Sequence, residues 1–127
     1  MDLISKTLNE IMNAKTAGKV EYETTPVSIL LFEVLKIMKR DGYLDYSSDK
    51  GKDKKFPSVK LSIKRLNECR AIRPRFHFQA GELEKYLRRY LPSRDLGIII
   101  VSTDKGIMDH KDAMEKKLGG ILLAYCY

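Results

Sequence analysis

The segment LGIIIVSTDKG, residues 96–106, joins an apolar run to a polar stretch and determines how the second half of the chain is organised. Its apolar residues Ile98 to Val101 are typical of a buried strand. Two hydroxyls, an acid and a lysine follow, and Gly106 then supplies the conformational freedom of a tight turn. The segment therefore predicts a stiff strand that presents small polar groups at its end.

The residues on either side of this segment predict a strand-rich lobe with a helix inserted before its last strand. Leu83, Leu87 and Tyr90 recur at helical spacing and predict a short helix upstream. The apolar and aromatic residues of 121–127 predict the final strand.

The inserted helix is predicted to follow the polar turn. Asp109 is a candidate N-cap, and Met114 belongs to a narrow apolar side. Gly119 and Gly120 are expected to stop this helix and to permit close approach of the backbone.

The first half of the chain predicts the element order α-β-α-β-β. A helix with apolar residues at helical spacing is predicted before Gly18, and a second helix, with a stripe from Leu30 to Met38, before Gly42. Alternating residues predict strands over 19–24, 43–46 and 56–64.

The last of these strands has an apolar and a basic side. Leu61 and Ile63 alternate with Lys60, Ser62 and Lys64. A solvated strand face and a face that contacts RNA are both compatible with this pattern.

A shift in composition near residue 65 predicts a boundary between two lobes, residues 1–64 and 65–127. The segment KRLNECRAIRPRF, residues 64–76, carries five basic residues against one acid. It is either a solvated basic strand or an edge that faces phosphates, with Arg73 and Arg75 as candidate RNA contacts. The elements together predict an α/β (α+β) fold of two small lobes.

The overall charge favours an anionic partner. With 24 Lys and Arg against 17 Asp and Glu, the 127-residue chain has a net charge of +7 and an isoelectric point near 9.4, which favours nucleic acid. Cys69 and Cys126 have no zinc-binding spacing, so we expect two small buried thiols, no metal and a reducing, cytoplasmic environment. No segment reaches the roughly 20 apolar residues of a membrane span, so no membrane partner is expected.

The polar turn suits recognition better than catalysis. The hydroxyls of Ser102 and Thr103 can meet base edges and 2′-OH groups in the shallow minor groove of RNA, and Lys105 can meet a phosphate. The same hydroxyls can instead bond to their own turn. Since no nucleophile elbow or phosphate-binding loop surrounds them, we expect no enzymatic activity, cofactor or small-molecule substrate. His110 is expected to be an exposed residue in the first turn of its helix.

Several separated motifs resemble those of one protein family. LPSRDLGIIIVSTDKGIMDH (91–110) and LGGILLAYCY (118–127) are similar to the C-terminal signature of the eighth protein of the small ribosomal subunit. P-V-S (26–28) and VLKIMKRDGY (34–43) agree with that family in order and spacing, and AIRPRF (71–76) resembles its archaeal and eukaryotic branch. The resemblance covers essentially the whole chain.

The resemblance implies a two-domain α/β protein without enzymatic activity. The family binds a helix in the central domain of small-subunit ribosomal RNA early in assembly, beside neighbouring small-subunit ribosomal proteins. By position, the family's S-T-x-K-G loop corresponds to Ser102, Thr103, Lys105 and Gly106, with Gly119, Gly120 and Tyr125 as its neighbours in the fold. A second contact, near the start of the long helix, corresponds to Ser28 with Thr25 and Pro26 beside it.

Three positions depart from the family pattern. Asp104 stands where the family often has a small neutral residue, Ile29 where it commonly has lysine, and Ile121 where it often has a charged residue. Asp104 is expected either to turn away from the RNA or to pair with Lys105.

Two other functions stay open. A protein-interaction adaptor would dock through residues 121–127 or through the stripe 30–38. An mRNA-binding translational repressor would bind its own messenger through the surface that binds the ribosomal RNA.

Overall fold

The computed structural model describes residues 3–19, 21–24, 29–49, 58–72, 75–93 and 96–127. The chain divides into two compact units, Met1–Leu66 and Asn67–Tyr127. The first unit holds α1 (Leu3–Thr16), β1 (Glu21–Thr24), α2 (Ile29–Arg40), β2 (Leu44–Asp49) and β3 (Ser58–Ile63). The second unit holds β4 (Cys69–Ala71), β5 (His77–Phe78), α3 (Leu83–Tyr90), β6 (Ile98–Thr103), β7 (Gly106–Asp109), α4 (His110–Glu115) and β8 (Gly120–Cys126). The predicted α+β fold class is confirmed.

The first unit is a three-stranded antiparallel sheet with two helices. β3 lies between β1 and β2, α1 contacts β1, and α2 contacts β2. The apolar residues of both helices are buried, as their spacing predicts: Ile4, Leu8 and Ile11 in α1, and Leu31, Val34, Leu35 and Met38 in α2. Leu61 and Ile63 of β3 are buried with them and complete the core of this unit.

Both helices of the first unit end at the glycines that the sequence indicates. Gly18 has a φ of 79° and Gly42 a φ of 86°. After each glycine the next amide donates back to the helix, as the Tyr43 amide does to the Met38 carbonyl at 3.0 Å. In this Schellman arrangement a left-handed residue lets the last helix carbonyls be satisfied, and glycine adopts that conformation without steric cost.

Lys60 and Lys64 are exposed, as the alternation predicts, and carboxylates from the neighbouring strands share the outer face of the sheet with them. The Lys60 Nζ lies 3.2 Å from Glu21 Oε2, and the Lys39 Nζ lies 3.3 Å from Asp45 Oδ1. Glu21 of β1 and Asp45 of β2 are both paired in register with Ser62 of β3. The carboxylates come from the neighbouring strands, which the alternation within one strand does not reveal.

The second unit is built on a five-stranded antiparallel sheet in the order β4-β8-β6-β7, with β5 also paired to β8. The predicted buried strand, β6, lies between β8 and β7, and its residues Ile98 to Val101 are at most 2% exposed. The apolar side of α3 packs in one core cluster with Ile99, Val101 and Leu122 of the sheet. Consecutive strand residues point to opposite faces, so the burial of all four shows that both faces of β6 are covered, which explains its uninterrupted apolar run.

The helix α4 is shorter than predicted. The Asp109 carboxylate caps its N-terminus by accepting from the Asp112 amide at 2.9 Å, as expected. The helix ends at Glu115, before the two glycines, because Lys117 takes a left-handed conformation with a φ of 54°. Met114 is exposed, so the prediction that it belongs to an apolar side is wrong.

Candidate nucleic-acid interface

A tight hairpin holds the polar turn that the sequence singles out. The pairing of β6 with β7 runs from Ile100 opposite Asp109 to Thr103 opposite Gly106. Gly106 has a φ of 116°, and nothing lies within 4 Å of the position that a Cβ would take there. Glycine is therefore required at this position by the backbone conformation and not by crowding.

The Thr103 hydroxyl is committed to the turn itself. It donates to the Gly106 carbonyl at 2.9 Å and accepts from the Lys105 amide at 3.2 Å. Of the two roles open to the hydroxyls, Thr103 takes the local one, in which the side chain fixes the turn backbone.

The Ser102 hydroxyl is available. Ser102 and Thr103 face opposite sides of the sheet because they are consecutive residues of a strand. Ser102 is half-buried and stands opposite Ile107 of β7 and Ile121 of β8. Its hydroxyl has no hydrogen-bond partner among the residues that the structure describes. A donor and two acceptor sites are thus held on a stiff strand between two apolar neighbours.

The charges of the turn are also available. Asp104 and Lys105 are exposed, and neither side chain forms an ion pair within the described part of the chain. Asp104 therefore does not pair with Lys105. Lys116 and Lys117 are exposed in the same way and precede Gly120 by four and three residues. Gly120 pairs with Thr103, so these two lysines lie within four residues of the strand position opposite the turn.

Gly119 and Gly120 are explained by packing within the protein. A Cβ on Gly120 would lie 2.0 Å from the Ser102 carbonyl oxygen, and a Cβ on Gly119 would lie 2.9 Å from the Phe78 carbonyl oxygen. The close approach expected of these glycines is confirmed, and it occurs between β8 and its neighbouring backbone. Gly120 therefore permits the close approach of β8 to the strand that carries Ser102, and Gly119 permits its approach to the backbone at Phe78.

Tyr125 is not a neighbour of the turn. It pairs with Ile99, whereas Gly120 pairs with Thr103, and five residues of strand separate the two by roughly 16 Å. Its ring instead stacks between Tyr90 at 5.4 Å and Tyr127 at 6.3 Å. The expectation that Tyr125 adjoins the turn is wrong because β8 runs away from the hairpin end.

A cleft of about 510 Å³ lies beside the turn. Its polar lining comes from His77, Gln79, Glu82 and Asp104, and Gly119 and Gly120 form part of its floor. The charged side chains that line it are acids, so it suits hydrogen-bond donors better than phosphates.

Of the remaining predicted site residues, only Arg75 lies within the described part of the chain. Arg75 is exposed between β4 and β5. Thr25, Pro26, Ser28 and Arg73 lie outside the described residues. Their proposed contacts stay predictions.

His110 is buried, so the prediction of an exposed helix residue is wrong. It is 3% exposed, and its Nδ1 accepts from the Ile99 amide at 3.1 Å. The ring replaces a strand carbonyl where β7 ends, and so satisfies a donor of β6. Burial lowers the pKa of His110 below its ordinary value, and the Asp109 carboxylate acts against this shift. The buried ring is a neutral acceptor that supports the strand.

Within the described ranges, no group of three or more His, Cys, Asp or Glu side chains could hold a metal ion. None of the described helices is both long and apolar enough to cross a membrane.

The chain thus forms two small α+β units, and in the second a serine hydroxyl and two charges without partners among the described residues stand at the end of β6. The family model of ribosomal protein S8 matches residues 2–127. The chain belongs to the ribosomal protein S8 family, whose members are structural constituents of the small ribosomal subunit.

Archaeal relatives are similar over their full length. The small ribosomal subunit protein uS8 of Archaeoglobus fulgidus is 45% identical over 130 residues, which cover 100% of this chain and 98% of the relative. The proteins of the same name from Desulfurococcus amylolyticus and Nanoarchaeum equitans are each 39% identical, and the alignments cover 100% and 99% of this chain and 98% of each relative. The predicted resemblance and its archaeal character are confirmed.

Proposed function

We propose that this protein is a structural constituent of the small ribosomal subunit that binds a helix in the central domain of its ribosomal RNA early in assembly. The observation that carries this proposal is the Ser102 hydroxyl, which is unpaired among the described residues on a strand whose backbone is fixed on both sides. Binding of one folded RNA element stabilises that element by mass action and biases later assembly steps.

In this mechanism Ser102 and Thr103 have different tasks. The Ser102 hydroxyl donates to or accepts from a base edge or a 2′-OH in the shallow minor groove. Thr103 holds the turn in the geometry that brings Lys105 toward a phosphate. Since the turn is already ordered, little conformational entropy is lost on binding.

The first unit contributes a second RNA contact in this proposal. Thr25, Pro26 and Ser28, which come just before α2 in the sequence, form this contact. In the second unit, Arg73 and Arg75 of the basic segment 64–76 add contacts to phosphates. The partners are then the ribosomal RNA and neighbouring small-subunit proteins, in cytoplasmic ribosomes. Binding of the protein's own messenger is the alternative use of the same surface, and competition with the ribosomal RNA fragment would test it.

The adaptor alternative is disfavoured by burial. Leu31, Val34, Leu35 and Met38 in the stripe 30–38, and Leu122, Leu123 and Ala124 in the final strand, are all buried. Side chains that form a core are not available to dock a partner protein.

The test is binding of the purified protein to a central-domain ribosomal RNA fragment across a salt series, with an unrelated duplex RNA for comparison. Ser102→Ala is expected to weaken binding by about 1–3 kcal/mol, as for the loss of a good base contact. It should leave the free energy of unfolding within about 0.5 kcal/mol of wild type. Thr103→Val is expected to weaken binding and also to lower stability by about 1 kcal/mol, and Thr103→Ser to restore both.

The control is Ser93→Ala, which removes an exposed hydroxyl away from the hairpin. Equal binding of both RNAs, together with a Ser102→Ala variant that binds like Ser93→Ala, would leave only non-specific attraction between charges. The proposed recognition by the hairpin would then be wrong.

A further inference from the structure

The fold places the two cysteines of the chain side by side. Cys69 and Cys126 are 57 positions apart in the sequence, yet they are direct partners in the antiparallel pairing of β4 with β8. Both are reduced and at most 1% exposed. Directly opposite residues point to the same face of a sheet, so the two thiols share one face.

The neighbouring hydrogen bonds determine the type of this pair. Glu68 and Tyr127, one step beyond it, exchange two backbone hydrogen bonds of 2.9 Å each. Hydrogen-bonded and non-hydrogen-bonded pairs alternate along an antiparallel ladder, so Cys69 and Cys126 form a non-hydrogen-bonded pair. In such pairs the Cα atoms are about 4.5 Å apart and the side chains approach most closely. This separation falls within the range of about 4.4–6.8 Å that disulfides span.

The other end of the ladder agrees with this assignment. The Ile72 amide donates to the Leu123 carbonyl at 2.9 Å, which makes that pair hydrogen-bonded. The intervening alternation leaves Ala71 and Ala124 as a second non-hydrogen-bonded pair. Their small side chains stand beside the cysteines on the same face and provide a matched position for a control.

We infer that Cys69 and Cys126 are a redox-responsive dithiol that closes to a cross-strand disulfide within the folded protein. With oxidised glutathione as the oxidant, one cysteine thiolate attacks a glutathione sulfur and releases one glutathione thiol. The second cysteine then attacks the mixed disulfide and releases the other. The two protons and two electrons that the cysteines lose are gained by the glutathione, which becomes two thiols.

Access to the buried thiols comes through the edge of the sheet. β4 has three residues and lies at the end of the strand order, and short edge strands open at a lower free energy than the whole fold. Opening of β4 exposes Cys69 and Cys126 to the oxidant while β8 keeps its pairing with β6. Closure of the disulfide then ties β4 covalently to the last strand of the chain.

The experiment is equilibration of the reduced full-length protein in glutathione redox buffers, followed by acid quenching, alkylation and mass measurement. Closure is read as the loss of two hydrogen atoms and as a Cys69–Cys126 link in a non-reducing digest. The equilibrium constant is measured in native buffer and again in denaturant. We expect it to be at least about tenfold larger in the native protein, because the native ladder holds the two thiols together.

Three variants keep the interpretation unambiguous. Cys69→Ser and Cys126→Ser should each retain one alkylatable thiol and show no internal link. In the third variant, both native cysteines are changed to Ala, and Ala71→Cys and Ala124→Cys are added. It should form the disulfide as the wild type does, because the dithiol then occupies the second non-hydrogen-bonded pair of the ladder. The inference is wrong if the equilibrium constant for closure in the wild type is less than tenfold larger in native buffer than in denaturant, since the fold would then not favour the disulfide. This holds whatever the result for the variant with cysteines at 71 and 124.

Discussion

Two charged regions of this protein differ in whether their charges are already paired. In the first unit, Lys60 lies 3.2 Å from a Glu21 carboxylate oxygen and Lys39 of α2 lies 3.3 Å from Asp45. At the turn between β6 and β7, Lys105 and the Ser102 hydroxyl have no partner among the described residues. Because paired charges already partly neutralise one another, Lys60 and Lys39 have less charge left to offer an anion than Lys105 has.

Gly120→Ala should disturb the strand pair that carries Ser102, and we expect it to have the largest effect on stability among these variants. A Cβ at position 120 would lie 2.0 Å from the Ser102 carbonyl oxygen, so β8 and β6 must move apart. We expect the free energy of unfolding, measured in urea, to fall by about 3 kcal/mol, at the upper end of overpacking effects.

The control for this variant is Gly81→Ala. Gly81 has a φ of 94° but nothing within 4 Å of its Cβ position, so its substitution costs only backbone strain of about 1–2 kcal/mol. Equal losses in Gly81→Ala and Gly120→Ala would contradict the crowding at β8.

His110→Ala should weaken the strand that leads to Ser102. The Ile99 amide would lose its acceptor, and an unsatisfied buried donor costs about 1–3 kcal/mol. His110→Asn keeps an acceptor near the position of Nδ1 and is expected to lose less. Urea unfolding of the wild type and both variants at pH 7.5 measures these differences.

The same residue should make stability depend on pH. Burial holds the pKa of His110 below its ordinary value, so the unfolded chain takes up a proton at a higher pH than the folded one. Its contribution is full above about pH 6.5 and declines as the pH falls from there toward the folded pKa. His110→Asn should lack this decline and His77→Asn, at an exposed position, should keep it. If the decline in stability persisted unchanged in His110→Asn, its cause would be the titration of groups other than His110.

Lys105→Gln and Lys60→Gln compare the two charged regions directly. We expect these substitutions to have the smallest effects, and they are measured on the salt dependence of RNA binding. On the proposed function, Lys105 neutralises one phosphate, so its loss should lower the slope of log affinity against log salt by about one. Lys60 already pairs with Glu21, and its loss should leave the slope unchanged. A smaller slope in Lys60→Gln alone would place the phosphate contact on the first sheet.

Much of the fold could be predicted because its signals are local. The apolar spacing in α1 and α2 and the glycines at 18 and 42 indicate helices and their ends, and Leu30 to Met38 lie on one helix. The apolar run of β6 indicates a buried strand because a strand that is covered on both faces has no solvent-exposed side. The short strand β7 was not predicted, since four residues after a turn carry too little periodicity.

The candidate site could be predicted only in part. The turn at Ser102 to Gly106 follows from its composition, but the roles of its two hydroxyls do not. Both roles are chemically open to serine and threonine. The hairpin geometry decides between them. The Thr103 hydroxyl bonds to the backbone of the turn, and the Ser102 hydroxyl has no partner among the described residues.

The sequence by itself determined the helices, the central strand and the polar turn of this protein, because each depends on residues within a few positions of one another. The tertiary structure alone decided that Cys69 meets Cys126, that His110 accepts from Ile99 and that Glu21 pairs with Lys60. The first of these contacts joins residues far apart in the chain. All three depend on strand order and register, which arise from the packing of the whole sheet and leave no local pattern.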